Sequence, residues 1–418
     1  MKKQTEIIII AAVMVLGVVG IVMIFSVTSS TAGLKNLYIK QLIAFSLGVI
    51  TLLFLRNISY KILVELSPIL YGVCVILLIF VLMFGTRIHG SRRWLELGIF
   101  HVQPVEIAKL AVILFCARLL SKNRGVVTTS LPVLVVGGLV VVQPDAGSAL
   151  IFVPVLVGML LASKKNTRGL IWSFPFIFIG GGIIFLESYL SVNNQTLFSF
   201  KYFLILMGIT GVIYLVYREF SKVNKTLTIV HYFIVVLFLW ISVGGGLGIS
   251  RALRDYHKRR IVSFIQPDID PLGTGYNTRQ SLLAVGSGRL AGKGLMEGTQ
   301  TQLGFLPVRH TDFIFASLAE ELGFIGCLIV LGGLGVLIWQ LINITERTED
   351  YTARLIGTGM FSLIISQMSI NIGVALGLLP VIGMQLPFIS YGGSGMITFM
   401  AGMGILLNIN KRAGIIGI

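Results

Sequence analysis

The part of this chain best furnished for chemistry lies between residues 249 and 311. Nine of the 33 Lys and Arg residues fall from Arg251 to Arg309, and only five carboxylates accompany them up to residue 312: Asp255, Asp268, Asp270, Glu297 and Asp312. A cationic excess around sparse carboxylates suits an anionic substrate, with Arg and Lys facing the anion and an exposed carboxylate free to take a proton. Asp270 precedes Pro271 and the run Gly273-Thr274-Gly275, turn chemistry that holds a carboxylate in the open. Turn formation alone accounts for these residues equally well. Asp312 follows His310 at the start of an apolar run, where helix capping is the simplest reading. The stretch from Gly286 to Gly294 reads GSGRLAGKG. A Walker loop needs four residues between its glycines and a Ser or Thr after the Lys. Here three residues separate Gly288 from Gly292, and Gly294 follows Lys293, so ATP is excluded. What survives is a turn whose amides and Lys293 suit a phosphate, or a plain turn.

Other polar groups sit inside apolar runs. Gln103-Pro104 opens one such run, with Glu106 and Lys109 three apart on one helical face. Charges in a membrane span pair with one another or face a cavity, and this pair fits both descriptions. Asp145, after Pro144, suits a cap for the helix that follows. Glu320 and Glu321 lie more than a turn inside a long run, so at least one faces protein rather than lipid. Ser390-Tyr391-Gly392-Gly393-Ser394 reads as the close-packed start of the last run. Cys74, Cys116 and Cys327 lie in apolar stretches without metal-ligand spacing and read as small core side chains.

The elements that must hold these groups are membrane helices. The chain is 55% hydrophobic and 12% charged, with a mean hydropathy of +0.92, whereas a soluble domain is about 25% charged. The apolar runs are too long for barrel strands and lack their alternation. The fold class is therefore an all-α polytopic membrane protein, read as a single transmembrane domain over 1–418. Twelve spans are expected, near 7–26, 38–55, 62–84, 104–121, 127–143, 147–163, 169–188, 200–217, 228–248, 312–342, 354–378 and 387–409. The apolar stretch after Lys3 exceeds a signal peptide's apolar region, so it reads as an uncleaved first span. With the N-terminus in the cytoplasm, 17 Lys and Arg fall at inner loops and 6 at short outer ones. Both termini are then cytoplasmic, and the 249–311 loop is extracellular. Nucleic acid is excluded as a partner, since no soluble basic domain exists to bind it; membrane lipid is an obligatory one.

Five stretches carry a family resemblance: SRRWLELGIFHVQPVEIAKL, QPDAGSA, RRIVSFIQPDIDPLGTGY, GTQTQLGFLPVRHTDFIFASLAEELGFIG and LGLLPVIGMQLPFISYGGSG. The chain resembles the SEDS proteins (shape, elongation, division and sporulation), the RodA/FtsW polymerases of bacterial peptidoglycan, over most of its length outside about 164–250. GTQTQLGFLP is closer to the elongation, RodA-like branch. The resemblance implies a SEDS-like helical bundle in the bacterial inner (cytoplasmic) membrane. It also implies a glycosyltransferase acting on lipid II and undecaprenyl-pyrophosphate-linked glycan, with a class B penicillin-binding transpeptidase as partner. The family's essential extracellular aspartate falls, through Pro-x-x-Asp-Pro, on Asp270. Motif positions for substrate binding fall on Arg93, Trp94, Arg260, Lys293, Gln300, His310, Asp312, Ser390 and Tyr391, and the cavity ion pair on Glu106 and Lys109. Asp270 is assigned as general base, with metal ligation or substrate orientation as its other roles. A divalent cation, Mg or Mn, is an optional cofactor under this resemblance, and no nucleotide is implied.

The chain departs from the family in specific places. The family has about ten spans, so two of the three expected between 164 and 250 read as an added hairpin. Val308 stands where the family has Glu, Asn277 where it has Gln or His, and Gln385 replaces a proline. Ala146 and Ser148 replace Leu and Thr. Two other readings compete with the polymerase. A flippase or transporter of lipid-linked precursor calls for charges near the bilayer midplane and repeat symmetry. A scaffold for a transpeptidase would make Asp270 dispensable.

Overall fold

Nine of the twelve expected spans coincide, within a few residues, with helices in the computed structural model. It describes residues 2–31, 33–88, 91–98, 100–163, 187, 189, 258, 260, 262–264 and 273–412. The expected spans at 169–188, 200–217 and 228–248, with the added hairpin they imply, lie outside these residues apart from isolated positions. The chain divides into two units, residues 1–165 with 277–418, and residues 166–276.

The first unit begins with three long apolar helices, α1 (Lys2–Ser29), α2 (Leu37–Asn57) and α3 (Tyr60–Phe84). Three short antiparallel strands follow, β1 (Thr86–Ile88), β2 (Ser91–Leu97) and β3 (Phe100–Val102), in the order β1-β2-β3. This meander lies between the expected spans 62–84 and 104–121, where the sequence reading assigns no element; Trp94 pairs with Thr86 and Leu95 with Val102. Then come α4 (Pro104–Ser121), α5 (Val126–Val142) and α6 (Ala146–Leu161). After the second unit's residues, α7 (Thr274–Ser287) and the single turn α8 (Thr299–Gln302) lie within the expected loop region. The long α9 (Ile314–Arg347), α10 (Tyr351–Ala375) and α11 (Gly393–Arg412) complete the chain. Among the described residues, α1, α2, α3, α9 and α10 are long and apolar enough to cross a membrane, while α5 and α6 are apolar but shorter.

Pro104 starts α4, where its missing N–H leaves no partner wanting. Pro68 lies inside α3, so no N–H at that position reaches the Val64 carbonyl. The Ser67 hydroxyl (2.7 Å) and the Arg118 guanidinium from α4 (3.2 Å) take its place at Val64 O, and Arg118 also donates to the Glu65 carbonyl. A proline in a lipid-embedded helix is tolerated when a neighbour re-satisfies the freed group in this way.

Side-chain bonds sort the helix ends onto two faces of the bundle. At one end Asn410 donates to Lys2 O (3.1 Å) and Asn408 to Arg56 O (2.9 Å). Lys411 and Arg412 close α11 there. At the other end Gln41 of α2 donates to Ser390 O (3.3 Å) and accepts from Gly392 N (3.1 Å). The Gln103 amide before α4 meets Ser394 Oγ at 3.3 Å there.

The expected span 312–342 is met by α9, with an internal break that the sequence reading does not include. Gly323 has φ 67° and ψ −166°, which breaks the helical path inside α9. The piece before the break is anchored near the C-terminal ends of two other helices. Asn371, near the C-terminus of α10, donates to Asp312 O at 2.9 Å, and Ser26, near the C-terminus of α1, donates to Glu321. Residues 314–322 therefore belong to that end of the bundle, and residues 324–347 are left to cross. Those 24 residues span about 36 Å at 1.5 Å per residue.

Candidate functional site

Every motif residue described in the first unit gathers at the end of the bundle where α1 and α10 finish. Three polar clusters make up this end.

The first is built on Glu320 and Glu321, both with no exposed surface. The expectation that at least one faces protein holds for both. Glu320 Oε1 receives Lys293 Nζ at 2.7 Å and the Gln300 amide at 2.9 Å, and its Oε2 receives the Thr301 amide at 2.9 Å. Glu321 accepts from Gln302 Nε2 (2.9 Å), Thr301 Oγ1 (3.3 Å) and Ser26. Arg309 ties the same loop to α1 through Val27 O and Thr31 Oγ1, each at 2.7 Å.

Of the two readings of the Gly286–Gly294 turn, the backbone takes the structural one. The amides of Lys293 and Gly294 donate to the carbonyls of Glu320 (2.9 Å) and Glu321 (3.0 Å), and that of Gly292 donates to Gly288 O (2.8 Å). They are spent on capping a broken helix and do not form a phosphate cradle. Glycine is demanded twice by close approach: a Cβ on Gly323 would lie 2.2 Å from Gly292 N, and one on Gly292 would lie 2.2 Å from Glu321 O. Lys293 is first a strut for a buried carboxylate. Gln300, through its backbone, is held by the same carboxylate.

The second cluster stitches residues 310–312 to residues 384–391. Tyr391 N donates to His310 O (2.8 Å), and Ser390 Oγ donates to Thr311 O (2.7 Å) while accepting from Leu386 N (2.8 Å). Asn371 Nδ2 spans both segments, donating to Asp312 O at 2.9 Å and Met384 O at 2.6 Å. The His310 and Tyr391 rings meet edge to face with centroids 5.8 Å apart. Burial, and then the neighbouring Arg309 charge, pull the His310 pKa down to about 4, so its imidazole is neutral at physiological pH. Burial raises the Tyr391 phenol. Capping of α9 by Asp312 is not seen: its N-cap is Phe313, with no side-chain cap bond. Ser390 does what the close-packed reading required, since its hydroxyl closes the turn before α11.

The third cluster joins the meander to the helices behind it. Asp145 caps α6 through Ser148 N (3.2 Å), as expected, and accepts from Gln103 Nε2 at 3.0 Å. Arg93 on β2 reaches Asp145 Oδ1 at 3.4 Å and also donates to Pro144 O. Trp94, next on β2, is partly buried. Deeper in the bundle Lys109 Nζ lies 2.7 Å from Glu106 Oε1 and 3.5 Å from Gln367 Oε1. Both charged groups are nearly without exposed surface, and Glu106 Oε2 is buried with no hydrogen-bond partner among the described residues. Gln385, the departure from proline, packs beside Gly392 and Gly395, and a Cβ on Gly395 would lie 3.4 Å from that same oxygen.

Asp270 lies outside the described residues. Arg260 belongs to the second unit and is partly buried there. Among the described residues no group of three or more His, Cys, Asp and Glu converges as a metal site would. Asn371 and Gln41 escaped the sequence reading. The available signal was polarity: Gln367 and Asn371 stand four apart in an apolar helix, on one face.

The chain matches the family model FTSW_RODA_SPOVE, described as cell cycle protein, over residues 5–200 and 201–414. It is 34% identical over 389 residues to the peptidoglycan glycosyltransferase MrdB of Escherichia coli (strain K12), covering 93% of this chain and 89% of that protein. It is 31% identical to stage V sporulation protein E of Bacillus subtilis (strain 168), covering 98% of both. Among solved structures it resembles a chain of a peptidoglycan synthase complex that coordinates polymerization and crosslinking. The TM-score there is 0.68 at 26% identity, with 97% of each chain covered. The rod shape determining protein RodA of Thermus thermophilus shares the fold, with a TM-score of 0.60 at 24% identity over 97% of this chain and 96% of that one.

Proposed function

The chain belongs to the FtsW, RodA and SpoVE family of cell cycle proteins, and from that premise we infer a peptidoglycan glycosyltransferase that polymerises lipid II into glycan strands during cell elongation. The observation that carries this reading furthest is the family match along nearly the whole chain, joined to the gathering of the described motif residues at one end of the bundle.

The chemistry follows from the residue types. A sugar hydroxyl of one substrate attacks the anomeric carbon of the other, forming the new C–O bond. The anomeric carbon–phosphate oxygen bond breaks, and the lipid diphosphate leaves with the electron pair. Asp270, carried over by the family motif, takes the hydroxyl proton as general base. Arg260, from the same stretch, faces the growing charge on the diphosphate. Arg93, Trp94, Gln300, His310, Asp312, Ser390 and Tyr391 line the substrate path, and neutral His310 serves there as a hydrogen-bonding group rather than a cation. Lys293, which donates to Glu320 Oε1 (2.7 Å) and Thr299 Oγ1 (2.6 Å), contributes its one remaining ammonium proton. A divalent cation, magnesium or manganese, enters this proposal only next to Asp270, and no step is routed through it.

The proposed setting is the bacterial cytoplasmic membrane, with both termini and the Lys2, Arg56 and Lys411 end in the cytoplasm and the site end outside, in about twelve spans. A class B penicillin-binding transpeptidase is the proposed partner, supported by the similarity to a chain from a complex that joins polymerization to crosslinking. The transporter alternative is disfavoured by the Glu106–Lys109 pair, which sits in the first turns of α4 and not at mid-helix. The test is polymerisation of lipid II in detergent by the purified chain with its transpeptidase. Asp270→Asn is expected to lower the rate by more than about 100-fold. Near-normal polymer from that variant rejects Asp270, and absence of polymer from the unaltered complex rejects the enzyme.

A further inference from the structure

The turn that caps broken α9 carries an apolar face that is exposed among the described residues. Leu290 is 68% exposed, and Leu295 and Met296 are nearly half exposed. An isolated exposed leucine is ordinary, but a contiguous group is not. What adjoins this group decides its meaning. Ile325 N donates to Leu290 O at 3.1 Å and Phe324 N to Arg289 O at 2.9 Å, so the turn is bonded to the first residues of the crossing part of α9. Phe324 and Ile325 are each 55% exposed, and Leu328 and Ile329 continue the same outward stripe one turn on. On the other flank Met296 N donates to Ser26 Oγ at 2.9 Å. There Val22 and Phe25 of α1 are also exposed.

The backbone says the same. The break at Gly323 leaves the amides of Phe324 and Ile325 without helical acceptors. In water they need no protein partner; in a bilayer they do. Here the carbonyls of Arg289 and Leu290 fill that need, and the amides of residues 292–294 are satisfied in turn. An irregular segment with its amides at 292–294 and 296 and its carbonyls at 289, 290 and 294 paired, and with apolar side chains that prolong an exposed apolar stripe, has the properties of a membrane-seated element. Arg289 is exposed and long enough to bring its charge to the headgroups.

We propose that residues 289–296 are seated in the lipid leaflet at the site end of the bundle, with Leu290, Leu295 and Met296 among the acyl chains. The occupant of this apolar face is phospholipid. The consequence for a lipid-borne diphosphate is direct: Lys293 and Gln300 stand at headgroup depth, so the substrate is met without leaving the membrane. This placement does not depend on the glycosyl-transfer reading, and its test uses no lipid II.

Spin labels at Leu290→Cys and Leu295→Cys, in a chain with Cys74, Cys116 and Cys327 replaced by Ala, are placed in liposomes and probed with oxygen and a water-soluble nickel chelate. Leu328→Cys serves as the lipid reference and Glu96→Cys, an exposed position on β2, as the aqueous one. Labels at 290 and 295 are expected to collide preferentially with oxygen, as at 328. Preference for the nickel chelate, as at 96, overturns the proposal. So does shielding from both reagents, which would mean that a second copy or another protein covers the face. Hydroxyl-radical footprinting of the unsubstituted chain in nanodiscs provides a test free of folding artefacts. Leu290 and Met296 labelled as heavily as the Glu96 region would refute the seating; labelling several-fold lower is expected.

Discussion

The Lys293 ammonium rests 2.7 Å from Glu320 Oε1, on a carboxylate wholly shut off from solvent although the lysine itself is a quarter exposed. The turn before α8 depends on this pair, because the same carboxylate holds the Gln300 and Thr301 amides. Removing one partner of a buried pair leaves an uncompensated charge, at a cost of about 3–5 kcal/mol. Lys293→Met is therefore expected to destabilise the detergent-solubilised protein strongly. Adding Glu320→Gln should restore much of the loss, since no bare charge is then left. Thermal unfolding of the two single variants and the double variant measures the coupling, and additive losses would sever the pair.

Asn371 is a clamp between two segments, holding Asp312 O and Met384 O with one amide group. Asn371→Leu strands both carbonyls, each worth about 1–3 kcal/mol if left unmet. Polymerisation is expected to fall by at least about 10-fold. Backbone amide exchange at Leu386 and Tyr391 is expected to accelerate, and unchanged protection there would show that the segments hold together without the clamp.

His310 gives a pH signature with a defined direction. Its folded pKa, about 4, lies below the ordinary histidine value because burial, and next Arg309, disfavour the charged ring. The unfolded chain then binds a proton that the folded one does not, across about pH 4 to 6.5. The stabilising contribution is whole above about pH 6.5 and is lost as pH falls through that window. His310→Gln is expected to flatten this acid limb in unfolding temperatures measured from pH 4.5 to 7.5. An identical acid limb in the variant would place the titration elsewhere.

Val308 has φ 51°, a left-handed conformation that a β-branched side chain adopts only under strain. It is also partly exposed, so replacement forfeits little burial. Asn tolerates this region well, and Val308→Asn is expected to stabilise the protein by about 1 kcal/mol. A lowered unfolding temperature would mean that the valine packs more than its exposure implies.

Much of this architecture was legible in the sequence, and the failures share a cause. Hydropathy placed nine helices, because burial in lipid acts on each run by itself. Pro104 and the Asp145 cap were readable for the same reason: each is a local backbone requirement. The β1–β3 meander was not, since Arg92, Arg93, Glu96 and His101 interrupt any plain alternation in so short a stretch. The break in α9 was hidden inside an apolar run, and only the partner segment around Gly292 reveals why Gly323 is tolerated. The structural partner of Lys293 was hidden for a related reason. A lysine among glycines resembles an anion site until its carboxylate, 27 positions away, is brought beside it.

The contact between Gly292 and Gly323 also sets a rule for heredity and engineering. Neither position admits a methyl group while the other backbone stays in place, so the turn and the helix it fills change together or not at all. A chimera that imports residues 286–296 from a relative must import the stretch around 323 with it. Relatives that alter one of these two glycines are expected to have rebuilt the other side of the junction as well.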